Sequence, residues 1–266
     1  MSSFQVALIL FSMFFVLLLL RVPVAFALGL ACVPVFFIDE RLTPFLLLNE
    51  MLKSYNSFLL LAIPFFLLAA NLMNAAGITE KLIKLARTVV GHLPGGLGHV
   101  NVVVSMLFAG ISGSSTAETA GVGGVLIPAM KKQGFDARFT VALTACASVM
   151  GVIIPPSILM VVWGGVISVS IGALFLAGVL PGIMIGLSLM VVVVIYAKLR
   201  HYPLYARATF AEFLAALGQA LLPMATPIII VGGIVGGFFT PTEASVVAVT
   251  YAFLLGAVVY RTVGLR

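Results

Sequence analysis

The sequence predicts an all-α polytopic membrane protein, on three observations. The 266 residues are 62% hydrophobic and 8% charged, with a mean hydropathy of +1.27, whereas a soluble domain carries about 25% charged residues. Uncharged runs cover Ser54–Thr79, Thr88–Ala117, Phe139–Ala197, Phe213–Thr242 and Ala244–Tyr260. Several exceed the ~20 residues needed to span about 30 Å of hydrocarbon. Finally, glycine, proline and serine crowd into two otherwise apolar segments, Gly110–Met130 and Gly151–Gly165. Such residues free backbone groups that hydrocarbon cannot satisfy, so these segments belong inside protein, around a watery cavity. Broken helices of this kind build ion sites in secondary transporters.

The elements follow in order. Phe4–Leu20 is read as a retained helix, because nothing basic precedes it, Arg21 follows it and a second apolar run begins at once. A turn at Arg21-Val22-Pro23 leads to a second helix, Pro23–Ile38. Asp39–Lys53 is an external arm, and a third helix covers about Ser57–Ala75. Residues 1–76 thus form a scaffold. Within residues 77–97, Glu80–Arg87 interleaves Leu82, Ile83, Leu85 and Ala86 with basic residues, which predicts an amphipathic interfacial helix.

Residues 98–131 are read as a re-entrant hairpin, and residues 138–172 as a helix broken at Pro155–Pro156. Proline lacks an N–H and clashes with the preceding turn, which stops the helix there. Residues 173–200 form a transmembrane helix. In residues 208–266, Ala208–Ala220 is a second interfacial helix, and Leu221–Phe239 and Thr242–Tyr260 pair as a hairpin.

Charge placement selects the re-entrant arrangement. With it, twelve of the fourteen Lys and Arg fall on one side, leaving Arg41 and Lys53 opposite. A single crossing would divide the basic residues between the two sides. By the positive-inside rule the basic face is cytoplasmic and the N-terminus periplasmic. The net charge of +6 therefore reports orientation and gives no sign of nucleic acid. Cys32 and Cys146 lie in apolar runs with no disulfide or metal spacing.

An internal repeat is also legible. The first two helices with their Pro23 turn resemble Leu221–Phe239 and Thr242–Tyr260 with their Pro241 turn. An odd number of crossings separates the two copies, which makes the repeat inverted. The second copy is incomplete: no further hairpin or broken helix follows it before Arg266.

The two polar segments carry the candidate site. Sodium is a hard cation that wants oxygen ligands. Main-chain carbonyls at a broken helix and the hydroxyls of Ser112, Ser114, Ser115 and Ser157 supply them. Close helix packing is the competing role of such small residues, and it is preferred for Gly121, Gly123 and Gly124. Two roles are open to Glu118: facing a cavity to bind a cation or proton, or capping a helix with Thr116 and Thr119. Glu243 follows a Thr-Pro turn, where a first-turn acid caps and offsets the helix dipole. His92, His99 and His201 have no catalytic partner or metal spacing, and Trp163 reads as an interfacial anchor.

Gly110–Met130 and Gly151–Gly165 resemble the large membrane subunit of tripartite ATP-independent periplasmic (TRAP) transporters. Arg21-Val22-Pro23, Ala62-Ile63-Pro64-Phe65-Phe66, Ala76-Gly77-Ile78-Thr79 and Thr240-Pro241-Thr242-Glu243-Ala244 extend the resemblance along the chain. The SGSS run with a downstream IP, followed by GVIIPPS, is specific in combination.

The resemblance implies an elevator-type, inverted-repeat transporter fold in the bacterial inner membrane, driven by a sodium gradient. It implies a small membrane subunit, a periplasmic substrate-binding protein and an organic-acid substrate such as a C4-dicarboxylate, a sialic acid or a 2-oxo acid. By this similarity Ser112, Gly113, Ser114 and Ser115 form the hairpin tip, and Gly151, Pro155, Pro156 and Ser157 the facing break. Thr116 and Glu118 are further candidates. Glu118 departs from the Asp that many family sequences carry. Sodium is the only metal implied, with no transition metal and no cofactor.

Family members are about half again as long, so the chain reads as an N-terminal portion that would not transport alone. The rival readings are another elevator-type sodium:dicarboxylate symporter, which lacks a binding-protein partner, and a non-transporting subunit of a membrane complex. An enzyme is not expected, because no HExxH or Ser/His/Asp grouping appears in the apolar core.

Overall fold

A computed structural model describes residues 3–38, 43–203 and 205–262. All regular structure among them is helical. The chain divides into two compact units, Met1–Ser57 and Phe58–Arg266.

In the first unit, α1 (Ser3–Leu19) packs against α2 (Val24–Ala31) and α3 (Val33–Ile38), and α4 covers Pro44–Tyr55. The expected single helix Pro23–Ile38 is therefore interrupted at Cys32. Pro34, inside α3, has no N–H to continue an α-helical ladder across the join. Much of the expected external arm is helical as α4, and residues 39–42 lie outside the described residues. An ion pair on α4, Lys53 Nζ to Glu50 Oε1 at 2.8 Å, is exposed, so it adds little.

The second unit opens with a tight turn, Phe58–Leu61, that leads into α5 (Ala62–Ala75). Gly77, at φ +69°, ends this segment and starts α6 (Ile78–Val90). Its apolar residues Ile78, Leu82, Leu85 and Ala86 are buried, while Lys84 and Arg87 are exposed. One face of α6 is thus apolar and buried and the opposite face basic. α7 (Gly96–Ser112) and α8 (Ser115–Lys132) fold back on each other around Gly113.

α9 (Ala137–Ser148) runs into a tight turn, Val149–Val152, and α10 covers Ile158–Ile167. α11 (Ile171–Arg200), at 30 residues, is about 45 Å long, enough to cross a bilayer. Leu180, Met184, Leu187 and Val191, spaced along one of its faces, are exposed. Such an apolar stripe suits lipid.

α12 corrects the sequence reading. An interfacial helix Ala208–Ala220 and a separate span Leu221–Phe239 are expected, yet one continuous helix covers Phe210–Val235. The only charge in that stretch, Glu212, is spent on a capping box with Thr209. No proline then stands between Phe213 and Leu222, and the one glycine there, Gly218, is carried within the helix. Pro223 and Pro227 lie inside the helix, where each removes one backbone bond. α13 (Pro241–Leu254) continues as a π turn, Leu255–Val259. Thr240 and Glu243 form its capping box, as expected of Glu243.

α7 occupies the centre of this unit, against α6, α8, α9, α11 and α12, while α13 lies along α5. The core between them includes Met73, Leu82, Phe108, Leu126, Met130 and Phe175.

The basic ends gather. Arg87 stacks 4.0 Å over the Tyr205 ring, and the Tyr205 amide donates to the Gly91 carbonyl. Gln133 donates to the Tyr205 hydroxyl, and the Asp136 amide donates to the Tyr202 hydroxyl at 3.2 Å. Lys81 lies 3.8 Å over the Tyr260 ring. The start of α7 and the end of α8 thus share one end of this unit with the C-terminus of α11. Among the described residues, four helices are long and apolar enough to cross a membrane: Phe58–Ala75, Ile171–Arg200, Phe210–Val235 and Pro241–Val259. The chain is a helical membrane protein.

Candidate functional site

The site is built where two interruptions meet. α7 stops at Ser112 because Gly113 adopts φ +61°, and its amide closes on the Ala109 carbonyl at 3.2 Å. That left-handed turn favours a residue without Cβ. Ser114 then takes extended geometry and caps α8 by accepting from the Ala117 amide at 3.4 Å. Its hydroxyl also meets the Thr116 hydroxyl at 3.0 Å.

The break is organised by its own serine. Pro155 and Pro156, joined by a cis peptide, offer no N–H. Ser157 donates to the Val152 carbonyl at 2.8 Å and caps α10 by accepting from the Met160 amide at 3.3 Å. The two interruptions are bonded together: the Ile158 amide donates to the Gly113 carbonyl at 3.2 Å. A Cβ on Gly113 would lie 2.8 Å from the Pro156 carbonyl oxygen.

Gly151 fits as closely. A Cβ there would lie 2.6 Å from Glu118 Oε2 and 3.2 Å from the Ser114 carbonyl oxygen. The structure therefore brings together the tip residues Gly113 and Ser114 with Gly151, Pro156 and Ser157. Ser112, buried, reaches only its own turn, accepting from the Ser114 amide at 3.4 Å. Ser115 is half-buried in the first turn of α8, where its carbonyl accepts from Thr119. Thr116 is exposed at the rim, and Pro155 is buried beneath α7, its carbonyl oxygen 3.6 Å from where a Cβ on Gly110 would stand.

Glu118 does not cap. Ser114 holds that role, and both Glu118 oxygens are buried without a hydrogen-bond partner. Of the three glycines read as packing residues, Gly123 meets Thr144, Gly121 borders Phe108 and Asn74, and Gly124 faces open space. Thr119, proposed as a capping partner of Glu118, instead donates to Ser148 across to α9.

The sequence reading missed the polar face below the tip. Asn101 and Ser105 on α7 are fully buried, and Asn101 donates to Thr144 of α9 at 2.7 Å. Thr140, Thr144 and Ser148, four residues apart along α9, are buried too. The signal was available: i, i+4 spacing puts such residues on one helix face.

This site holds hydroxyls, carbonyls and one carboxyl, with no cluster of metal-ligating His, Cys, Asp or Glu among the described residues. Helix ends converge on it from four directions: the C-termini of α7 and α9 and the N-termini of α8 and α10. Carbonyl ends favour cations and amide ends favour anions. A hard monovalent cation and an anionic group can therefore both find partners here.

Residues 11–266 match the family of the DctM component of tripartite ATP-independent periplasmic transporters. The chain is 44% identical over 218 residues to the sialic acid TRAP transporter large permease protein SiaM of Vibrio cholerae, covering 82% of this chain and 51% of that protein. It is 42% identical over 212 residues to the C4-dicarboxylate TRAP transporter large permease protein DctM of Pseudomonas aeruginosa, covering 80% and 50%. It is 37% identical over 239 residues to the 2,3-diketo-L-gulonate TRAP transporter large permease protein YiaN of Escherichia coli, covering 90% and 56%. These relatives are permeases and not enzymes. The chain spans about half the length of the curated relatives it matches. The chain belongs to the family of the DctM component, the large permease protein of TRAP transporters.

Proposed function

We propose that this chain carries the first cation site of a sodium-gradient-driven importer of organic acids, acting as its large membrane subunit. The observation behind this reading is the bonded junction of hairpin tip and helix break, where the Ile158 amide meets the Gly113 carbonyl. The hydroxyls of Ser112, Ser114, Ser115 and Ser157, with the carbonyls around Gly113, Gly151 and Pro156, supply oxygens suited to sodium. Pro155 holds the break open, and Thr116 and Glu118 border it. The amide ends of α8 and α10 suit a carboxylate of the substrate.

In this reading the protein lies in the bacterial inner membrane with its N-terminus periplasmic and its basic ends cytoplasmic. The hairpin enters and leaves from the cytoplasmic side, within an elevator domain carried by an inverted repeat. A periplasmic binding protein delivers the organic acid, and a small membrane subunit completes the complex. A C4-dicarboxylate, a sialic acid or a 2-oxo acid is the expected class of substrate. Sodium is the coupling ion and no cofactor takes part.

The test is uptake into proteoliposomes by the complete transport complex containing this sequence, across a range of sodium concentrations. Ser114→Ala and Ser157→Ala are expected to raise the sodium concentration needed for half-maximal uptake. Unchanged sodium dependence in both variants removes the ion-site assignment.

A further inference from the structure

Between α6 and the start of α12 lies a groove of about 590 Å³. α6 lines it with Lys84 and Arg87, three positions apart and so on one helix face. Arg207 enters from the segment before α12, and Glu212 and Ala215 of α12 form the other wall. Arg87 is held in place. Its guanidinium lies 4.0 Å over the Tyr205 ring, and Tyr205 is itself anchored, its amide donating to the Gly91 carbonyl at 3.1 Å. Yet the Lys84, Arg87 and Arg207 side chains form no ion pair and donate no hydrogen bond among the described residues. Glu212 Oε2 is committed to the Thr209 amide at 2.8 Å. Three cations against one carboxylate leave two positive charges in excess.

The groove lies where a bilayer changes from hydrocarbon to headgroups. α12 has 26 residues and is about 39 Å long, against about 30 Å of hydrocarbon. Its last turn, Gly232 to Val235, is apolar, whereas its first turn carries Glu212. The excess length therefore falls at the start of the helix, beside the groove. Further along α12, Leu214 and Leu221 are exposed, and Gly218 between them faces open space. At i, i+4 and i+7 these three share one face. They leave an apolar furrow that runs from the groove towards the middle of the span.

We propose that this groove seats the headgroup of an anionic glycerophospholipid, its phosphate against Lys84, Arg87 and Arg207 and an acyl chain along Leu214, Gly218 and Leu221. Arginine presents a planar fork of donors that grips phosphate oxygens in pairs, and lysine adds a point charge. Stacking on Tyr205 fixes the plane of the Arg87 fork before a ligand arrives, which lowers the ordering cost of binding. The excess positive charge favours a lipid of net negative charge over a zwitterionic one, whose own cation would meet Lys84, Arg87 and Arg207. Basic pockets between membrane helices bind acidic headgroups on these terms. The groove is separate from the hairpin tip, and nothing in it depends on which ion or substrate the protein carries.

The experiment is native mass spectrometry of the purified chain in detergent, titrated with phosphatidylglycerol or with phosphatidylcholine. Wild type is expected to hold one phosphatidylglycerol more tightly than any further copy, and about tenfold more tightly than phosphatidylcholine. Arg87→Gln and Lys84→Gln are each expected to weaken that first lipid about tenfold, as loss of one charged hydrogen-bond partner does. Arg87→Lys keeps the charge and loses the fork, so it should fall between wild type and Arg87→Gln. Lys132→Gln and Arg200→Gln remove exposed cations outside the groove at the same end of the unit. They are expected to leave the first lipid unchanged.

Equal retention of the two lipids by wild type overturns the proposal. So does an equal loss in all four glutamine variants, because binding is then a diffuse attraction to the basic end. Inorganic phosphate is added as a competitor, and displacement of the lipid at matched concentration makes this a site for soluble anions and sinks the lipid assignment. Should Arg87→Gln fail to fold once the Tyr205 stack is gone, Lys84→Gln decides. Lys84 is exposed and without a partner among the described residues, and unaltered phosphatidylglycerol binding in that variant is fatal.

Discussion

The carbonyl of Gly113 accepts a hydrogen bond from the amide of Ile158 across 3.2 Å. This bond joins the residue just past the end of α7 to the first residue of α10, 45 positions on in a 266-residue chain. It also uses an orphan donor at the N-terminus of α10 and an orphan acceptor beyond the C-terminus of α7. The junction is thus specific in backbone geometry, with the Ser114 and Ser157 hydroxyls engaged as the caps of α8 and α10.

Gly113→Ala is expected to destabilise this junction. At φ +61° a side chain costs roughly 1–2 kcal/mol from local sterics alone. The new Cβ would also press on the Pro156 carbonyl oxygen at 2.8 Å. Thermal unfolding of the purified chain in detergent should move to lower temperature. A transition equal to wild type means the tip is not held as described.

Gly151→Ala and Glu118→Ala should couple. A methyl on Gly151 meets the Glu118 carboxylate at 2.6 Å, and truncating Glu118 relieves that contact. Residues in contact show interaction free energies of about 0.5–3 kcal/mol in double-mutant cycles. The double variant should therefore be more stable than the sum of the two single losses predicts. Additive losses in denaturant unfolding would mean that the two side chains do not share space.

How much of this was legible beforehand follows from which residues carry local signals. The double proline at 155–156 and the Thr-Pro-Thr-Glu cap at 240–243 impose their geometry within a few residues and are legible in the sequence, whereas Gly113 is placed at a hairpin tip only by the family resemblance. Continuity of α12 was missed because a run of alanines and leucines with one acid looks the same in an interfacial helix and in a span. What settles it is the capping of Thr209 by Glu212, which removes the only charge from the helix interior. The inner polar face was missed for another reason. The i, i+4 spacing of Asn101 with Ser105, and of Thr140 with Thr144 and Ser148, marks a polar face on each helix, but it does not report that α7 and α9 turn those faces towards each other.

Lys81 gives a pH prediction. Partial burial holds its ammonium below the ordinary lysine value of 10.5, with Glu80 opposing that shift and Lys84 adding to it. A base whose folded pKa is lowered binds its proton more weakly in the folded state. Its effect on stability is therefore unfavourable below the folded pKa and is relieved as pH rises through that value towards 10.5. The neutral amine is the reactive form, so Lys81 should be acylated faster than an unperturbed lysine at mildly alkaline pH. Peptide mapping by mass spectrometry after limited acylation measures this, and a rate equal to that of a model lysine contradicts it.

Thr240→Ala tests the start of α13. Thr240 accepts from the Glu243 amide at 3.3 Å, and Glu243 Oε2 accepts from the Thr240 amide and hydroxyl, each at 2.8 Å. Loss of a threonine cap costs about 1 kcal/mol. Here the hydroxyl also donates to the Glu243 carboxylate, so its removal weakens both arms of the capping box. Thr240→Ser keeps the hydroxyl and should stay close to wild type, whereas Thr240→Ala should unfold at lower denaturant. α13 lies along α5 and its Thr242 donates to the Phe58 carbonyl at 3.1 Å. The loss should therefore appear as faster hydrogen exchange at both the start of α13 and the Phe58–Leu61 turn. Exchange that rises only at residues 241–244 would mean that the cap acts on its own helix and does not brace the packing of α13 on α5.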